Sequence, residues 1–278
     1  MPNGIRYGLL SIEGVDSSEI GHFLSEARRL ISLLPSYGLV VDIRGNPGGA
    51  FLYARYVWEM IFSGEPASCQ SLIRATPFIA DVFSVDDKNV EQIIRSNVAT
   101  HQPFTGPCTP PAGGDRVFDK AFAGRHVIVL VDAMSGSAAD YFASLVKDSE
   151  TSEQVMLYGT DAVTQGVGTT RVDISSRVNA SIVGSHPEFY NLPKKVDVSI
   201  VFRRFYRSGG MSGSLIEQLE VGVDRQYFET RTDIVTKGED MLIYFGRALQ
   251  RMQRKEGKAA SLRTRKSARS SSTRRKDG

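Results

Sequence analysis

The chain alternates short apolar runs with longer segments whose apolar positions recur every three or four residues, the pattern of buried strands joined by amphipathic helices. Two units dominate. "GLVVDIRGNPGGAFLYA" runs from Gly38 to Ala54, and "HVIVLVDAMSGSAADYFASLVKD" runs from His126 to Asp148. In each, a β-branched run ends at a carboxylate, Asp42 or Asp132, and a turn of Gly, Ser or Pro then opens an apolar-periodic helix. This order predicts strands over 39–43 and 127–131 in one sheet, with Gly49 and Ser137 at the same edge. Such turns point helix N-termini, unpaired backbone N–H groups and a serine into one crevice, which is what an oxyanion needs for its stabilisation.

The remaining pattern fits an α/β fold. Residues 5–13 read as a strand, weakened by Gly8. From 17 to 34 the set Ile20, Phe23, Leu24, Ala27, Leu30, Ile31 and Leu34 follows helical spacing, with Ser17 or Ser18 as its cap. Residues 63–124 are loop-heavy, broken by "PFTGPCTPPAGG" (103–114), with a helix near 90–98, and read as a lid or edge. Short strands are expected near 154–158 and 168–174. An alternating strand carries Val196, Val198, Ile200 and Phe202 on one face and Asp197, Ser199 and Arg203 toward the other. A last helix spans about 237–252, and no internal repeat is visible.

Composition narrows the classes. With 278 residues and 41% apolar content, the chain can bury one large core or two modest ones. No apolar run approaches a membrane span, and nothing near Met1 has the charged-then-apolar form of a signal, so the chain reads as soluble and unexported. Cys69 and Cys108 have no metal-ligand spacing and support no disulfide framework. No cofactor or metal is indicated.

Charge divides the chain. Residues 251–278 hold 11 Lys+Arg and 2 Asp+Glu, net +9, leaving 23 against 29, net −6, for residues 1–250. The Ser-, Arg- and Lys-rich end has one leucine and no aromatic residue, too little apolar surface to offset the entropy of ordering. The expected organisation is therefore a core over 1–252 and a disordered basic tail over 253–278. Such a tail can touch RNA or an acidic membrane surface, but without interleaved aromatics it specifies no nucleic acid.

The two turns admit more than one chemistry. "RGNPGGAF" (44–51) lacks both the Lys-Ser/Thr ending of a phosphate-cradling loop and the spacing of the dinucleotide fingerprint. Gly45, Gly48 and Gly49 could serve only to turn a strand into a helix. Ser137, followed by Asp140 three residues on, has the form of a capping box, and equally that of a nucleophile on a tight turn ahead of a helix.

Resemblance separates these readings. "LVVDIRGNPGG" (39–49), "VIVLVDAMSGSAADYFASLVKD" (127–148), "LYGTDAVTQGVG" (157–168) and "SLIEQLEVGVD" (214–224), taken in order, resemble the tail-specific, or carboxy-terminal processing, family of serine peptidases. The resemblance implies an α/β fold with a mixed sheet flanked by helices, the ClpP/crotonase-like core. It places Gly48 and Gly49 at the oxyanion turn, Ser137 as nucleophile and Asp148 as an acid on the following helix. It also implies peptide-bond hydrolysis through an acyl-enzyme, with peptides or unfolded protein as substrates.

One departure bears on mechanism. The general-base lysine of the family falls at Gln165 here, and an amide cannot accept the serine proton, although it can orient a carbonyl or a water. A second branch of the family draws a histidine from the first strand, and this strand has none. His22, His101, His126 and His186 all read as surface or structural residues. A catalytically inactive homologue that binds extended peptides by strand addition is therefore the alternative expectation. The peptide-binding module often inserted in the family is not evident, and the sequence sets no oligomeric state.

Overall fold

The structure is a computed structural model that describes residues 6–14, 19–62, 66–67, 70–107, 122, 124–149, 154–173 and 198–273, with side chains in the last helix to residue 257. Ser17, Ser18, Cys69, Cys108, His186, Val196, Asp197 and residues 274–278 lie outside the described residues.

Parallel strands β1 (Gly8–Ser11), β2 (Leu39–Asp42), β4 (Val127–Val131), β5 (Val155–Gly159) and β8 (Arg225–Gln226) form one five-stranded sheet in that order. Helices α1 (Ile20–Leu33), α2 (Phe51–Ile61) and α5 (Ala138–Asp148) pack on one face. Helix α7 (Glu239–Thr273) covers the other, after the short α6 (Arg231–Thr236). Strand periodicity assigns the two cores: Val41, Val127, Val129 and Leu157 face α1, α2 and α5, while Val40, Ile128, Leu130 and Tyr158 face Met241, Phe245 and Leu249 of α7. A strand buried on both faces must be apolar at every position, and β4 is buried at all five.

Within 63–124 the described residues hold more regular structure than the loop-like composition predicts. It contains β3 (Gln70–Ile73), α3 (Pro77–Asp86) and α4 (Lys88–Ala99). Strand β3 joins β6 (Thr169–Asp173) and β7 (Ser199–Tyr206) in a separate antiparallel sheet, ordered β3-β7-β6. Strand direction in this α/β fold is thus divided between two sheets. Helix α3 starts at a signal that was in the sequence: Thr76 accepts the Ile79 N–H through its hydroxyl and Pro77 fills the first helical turn, where its missing N–H costs nothing. Ile73, Phe78, Ile79, Ile94, Val172 and Phe202 make a small third core, with Ile200 packed against it as the alternation predicts. A stack of Phe51 between Tyr141 (4.2 Å) and Phe205 (4.6 Å) ties β7 to the starts of α2 and α5.

Helix α1 buries Leu24, Ala27 and Ile31 but leaves Leu30 exposed, so its apolar stripe is narrower than its spacing predicts. The C-terminal region differs from its expectation more clearly. Helix α7 carries helical backbone through Thr273, where composition predicts disorder from residue 253. Docking on the core also passes that boundary: the Gln253 amide donates to Tyr37 O (2.8 Å), and Glu256 lies 3.1 Å from His126 Nε2, within ion-pair distance though without hydrogen-bond alignment. Alanine, arginine and lysine are good helix formers, so a docked segment extends here at little cost, which an argument from apolar content alone does not capture.

Candidate active site

The neighbours β2 and β4 run parallel in the register Leu39↔Val127 to Asp42↔Leu130, so both turns leave the same, C-terminal, end of the sheet. Four hydrogen bonds weld them together. The Gly45 N–H donates to both Asp132 carboxylate oxygens at 2.9 Å, the Ser135 hydroxyl donates to Ile43 O (2.8 Å), and the Gly136 N–H donates to Asn46 O (2.9 Å). The carboxylates that end the two strands therefore act as turn anchors. Asp42 holds Arg44, which also reaches Glu229 at 3.1 Å.

Asn46 is the hub of the first turn, fully buried and unremarked by its sequence context. Its amide donates to Ile12 O (2.9 Å), and its Oδ1 accepts the Gly48 N–H (2.7 Å). Gly48 therefore has no free N–H to offer. Its role is steric: at φ +103 it passes against Ser137, and a Cβ built on it would stand 2.5 Å from Ser137 Cβ and 2.8 Å from the Ala138 nitrogen. Gly49, the next residue, is exposed at the mouth of the turn.

Ser137 stands at φ 54, ψ −114, a conformation that non-glycine residues adopt only at a cost of order 1–3 kcal/mol. Its hydroxyl makes no capping bond to α5, so the reciprocal box suggested by Ser137 and Asp140 is not formed. The side chain is instead half-exposed at the strand-to-helix turn, beside the first N–H groups of α5, which helix geometry leaves without intrahelical acceptors. Strand, strained serine and helix in this order have the backbone geometry of a nucleophile elbow.

Asp140 takes a different role from capping. It is fully buried, and its two oxygens accept the Gly166 and Val167 N–H groups at 3.0 Å each. Burial raises its carboxyl above the ordinary value, partly offset by the Thr164 hydroxyl and by the N–H groups of Gly166, Val167 and Ser137. This one residue fastens the 159–168 loop to the elbow. The Gln165 N–H adds a bond to Ser135 O (3.0 Å), and Gln165 lays its carboxamide over Gly136, where any Cβ would collide with the amide oxygen. The segment 214–224 backs the loop through Gln218 N–H to Gly166 O (2.9 Å) and Val221 N–H to the Thr164 hydroxyl (2.9 Å).

The structure thus brings together Gly48, Gly49, Ser137 and Gln165, and does not bring Asp148 to them. Asp148 lies ten residues along α5 from Ala138, about 15 Å from the elbow at 1.5 Å per residue. There it forms a two-pronged pair with Arg207 (2.7 and 2.8 Å), both side chains almost wholly buried. Its partner is some sixty residues away in sequence, and no local pattern announces it. Among the described residues, no imidazole, amine or carboxylate makes a hydrogen bond to the Ser137 hydroxyl, and no cluster of His, Cys, Asp and Glu could hold a metal ion.

The strained serine and the glycine turn thus lie together at the C-terminal edge of a parallel sheet flanked by helices. The sequence profile of Peptidase family S41 matches residues 6–195, and the chain belongs to that family. Among curated protein sequences none matches. Solved structures agree on the fold: mature CPAF (TM-score 0.61, 16% identity, 90% of this chain and 52% of that one) and a putative S41 protease from Bacteroides fragilis NCTC 9343 (0.53, 16%, 91% and 56%). CPAF complexed with lactacystin aligns similarly, at 0.60, 16%, 88% and 51%. The chain spans about half the length of these structures. It is a member of a peptidase family, with the fold that its four motifs imply, and no helix among the described residues is long and apolar enough to cross a membrane.

Proposed function

We propose that the chain is a serine-type endopeptidase that cleaves extended peptide or unfolded protein through an acyl-enzyme on Ser137. The observation that carries this reading is the strained Ser137 elbow fitted against Gly48, since strain of this kind persists only where the surroundings over-determine it. The Ser137 oxygen attacks the scissile carbonyl, and the negative charge that develops on the carbonyl oxygen is met by the N–H groups of Gly49 and of Ala138 at the start of α5. A base other than Gln165 takes the Ser137 hydroxyl proton and passes it to the amine as the C–N bond breaks; water then adds its OH to the acyl carbon and returns a proton to the Ser137 oxygen as the ester bond breaks. The Gln165 carboxamide orients the substrate carbonyl or the attacking water and takes no proton. Asp148 supports the far end of α5 and stays outside the chemistry.

A second reading rests on Gln165 itself. With an amide over Gly136 and no base hydrogen-bonded to Ser137 among the described residues, the same pair of turns suits an inactive homologue that holds extended peptide by strand addition. Incubation of an unstructured fluorogenic peptide with wild-type protein and with Ser137→Ala decides between them. Turnover that Ser137→Ala removes supports the peptidase. Peptide binding that survives Ser137→Ala, with no turnover in either protein, supports the binding module.

A further inference from the structure

On the small sheet two guanidiniums converge on one aromatic ring. The central carbons of Arg74 and Arg204 lie 5.6 and 5.0 Å from the middle of the Phe104 ring. The ring is fixed in place by the backbone on either side of it. Phe104 and Arg74 form an antiparallel bridge, the Ala75 N–H donates to Pro103 O (2.9 Å), and the Thr105 N–H donates to Ile73 O (2.8 Å). The Ile73 N–H completes the clasp by donating to the Thr105 hydroxyl (3.1 Å). Each guanidinium is attracted to the ring, but the two are like charges at most about 11 Å apart and repel one another. Their compensation by anions is thin. Glu217 Oε2 stands 3.8 Å from Arg204 Nε, beyond hydrogen-bond distance, and Arg74 is exposed and forms no ion pair among the described residues. This cationic spot belongs to a chain whose residues 1–250 carry net −6.

The cluster is joined to the site through β6. Val167, whose side chain stands against Gly136 beside Ser137, is two residues before Thr169, which pairs with Arg204 across β6 and β7. Arg74 and Phe104 lie beyond, past β3, so at the usual strand spacing the cluster begins about 5 Å and ends about 15 Å from Thr169. We infer that Arg74 and Arg204 form a subsite for acidic side chains, Asp or Glu, of the extended peptide held at Ser137. The substrate class is then an acidic peptide. This rests on the reading of Ser137 as the place where peptide is held. A carboxylate supplies what the cluster lacks, accepting paired N–H bonds from a guanidinium fork and neutralising both charges, while Phe104 keeps the forks in place. Two guanidiniums on one ring match a single carboxylate and not the long row of phosphates of a nucleic acid. An extended peptide advances about 3.3 Å per residue, so the acidic position falls roughly four to six residues from the scissile bond, on one side of it.

The test uses the full chain, wild-type for turnover and Ser137→Ala for binding, with rhodamine-labelled twelve-residue peptides. In these a Glu-Glu pair is moved along a neutral background of Gly, Ser, Gln and Leu and compared with Gln-Gln. The peptides are amidated at the C-terminus, so that no chain-end carboxylate takes part. Fluorescence anisotropy at 50 mM salt should show about tenfold tighter binding of Glu-Glu in one window of positions, as two exposed charge pairs of roughly threefold each provide. The advantage should shrink at 500 mM salt. Arg74→Gln with Arg204→Gln should remove it, and Arg74→Glu with Arg204→Glu should turn it toward Lys-Lys. Glu217→Gln, which frees Arg204 of its loosely held neighbour, should raise it about twofold. Equal affinities for Glu-Glu and Gln-Gln at every position, or a preference unchanged in the double variants, overturns the inference. The two readings fail separately. Turnover without an acidic preference keeps the peptidase and removes this subsite, whereas an acidic preference that needs both arginines, with no turnover, keeps the subsite and removes the peptidase.

Discussion

Gly48 and Ser137 are packed so closely that a Cβ on the first would stand 2.5 Å from the Cβ of the second, and both residues have positive φ. The two turns of the site are thus one unit, in which neither backbone can move without the other.

Substitution of Gly48 is accordingly expected to cost more than an ordinary loop change. Gly48→Ala meets the left-handed backbone and the contact with Ser137 together, each worth of order 1–3 kcal/mol. Thermal denaturation should show a fall of several degrees. Any protein that still folds should have a displaced Ser137 and lose its reactivity. Gly45→Ala, at a position where a Cβ meets nothing within 4 Å, should pay the conformational cost alone and lower the melting temperature less. Equal effects of the two substitutions would show that the close approach is unimportant.

Asp140 is expected to set a pH limit on the site. Its folded-state value is raised, so its contribution to stability favours the fold at low pH and is lost as pH rises through that value. The loop responds in the opposite sense, because protonation removes an acceptor from the Gly166 and Val167 N–H groups. Acidification from neutral pH toward the ordinary carboxyl range should therefore lower Ser137 reactivity before the protein unfolds. Asp140→Asn, which cannot titrate, should flatten that profile. Asp140→Ala leaves two buried N–H groups unpaired, at about 1–3 kcal/mol each, and should lower the melting temperature clearly. An unchanged acid limb in Asp140→Asn would remove Asp140 from this role.

Much of this was legible in the sequence, and the part that was not has a common cause. The strands over 39–43 and 127–131, the helix from Phe51 and the position of Ser137 follow from local periodicity and turn chemistry, and the structure reproduces them. Gln165 was placed by resemblance and is found over Gly136. Asn46, Arg207 and the true work of Asp140 depend on partners 26 to 90 residues away or on burial, which no local pattern encodes. Gly48, expected only as part of the oxyanion turn, has its N–H held by Asn46 and contributes the absence of a side chain, a distinction that only the Asn46 bond reveals. Helical backbone in α7 runs past the point at which apolar content alone ends the core, because helix propensity is a separate term.

The Asp148–Arg207 pair is expected to be structural. Removing one partner from a buried pair costs about 3–5 kcal/mol, because the other charge is left uncompensated. Arg207→Ala and Asp148→Ala should each destabilise strongly, whereas Asp148→Leu combined with Arg207→Met should recover much of the loss. At a temperature where the double variant is folded, Ser137 should react at the wild-type rate. A large rate loss in a fully folded double variant would return Asp148 to the chemistry.

Whether Ser137 is a nucleophile is read out by covalent labelling with a fluorophosphonate, mapped to the modified residue by mass spectrometry. A single adduct on Ser137 is expected, absent from Ser137→Ala and formed faster in Gln165→Lys, where an amine replaces the amide over Gly136. Failure to label the folded wild-type protein, with peptide binding intact in Ser137→Ala, would remove Ser137 from that role and leave a site that holds peptide without cutting it.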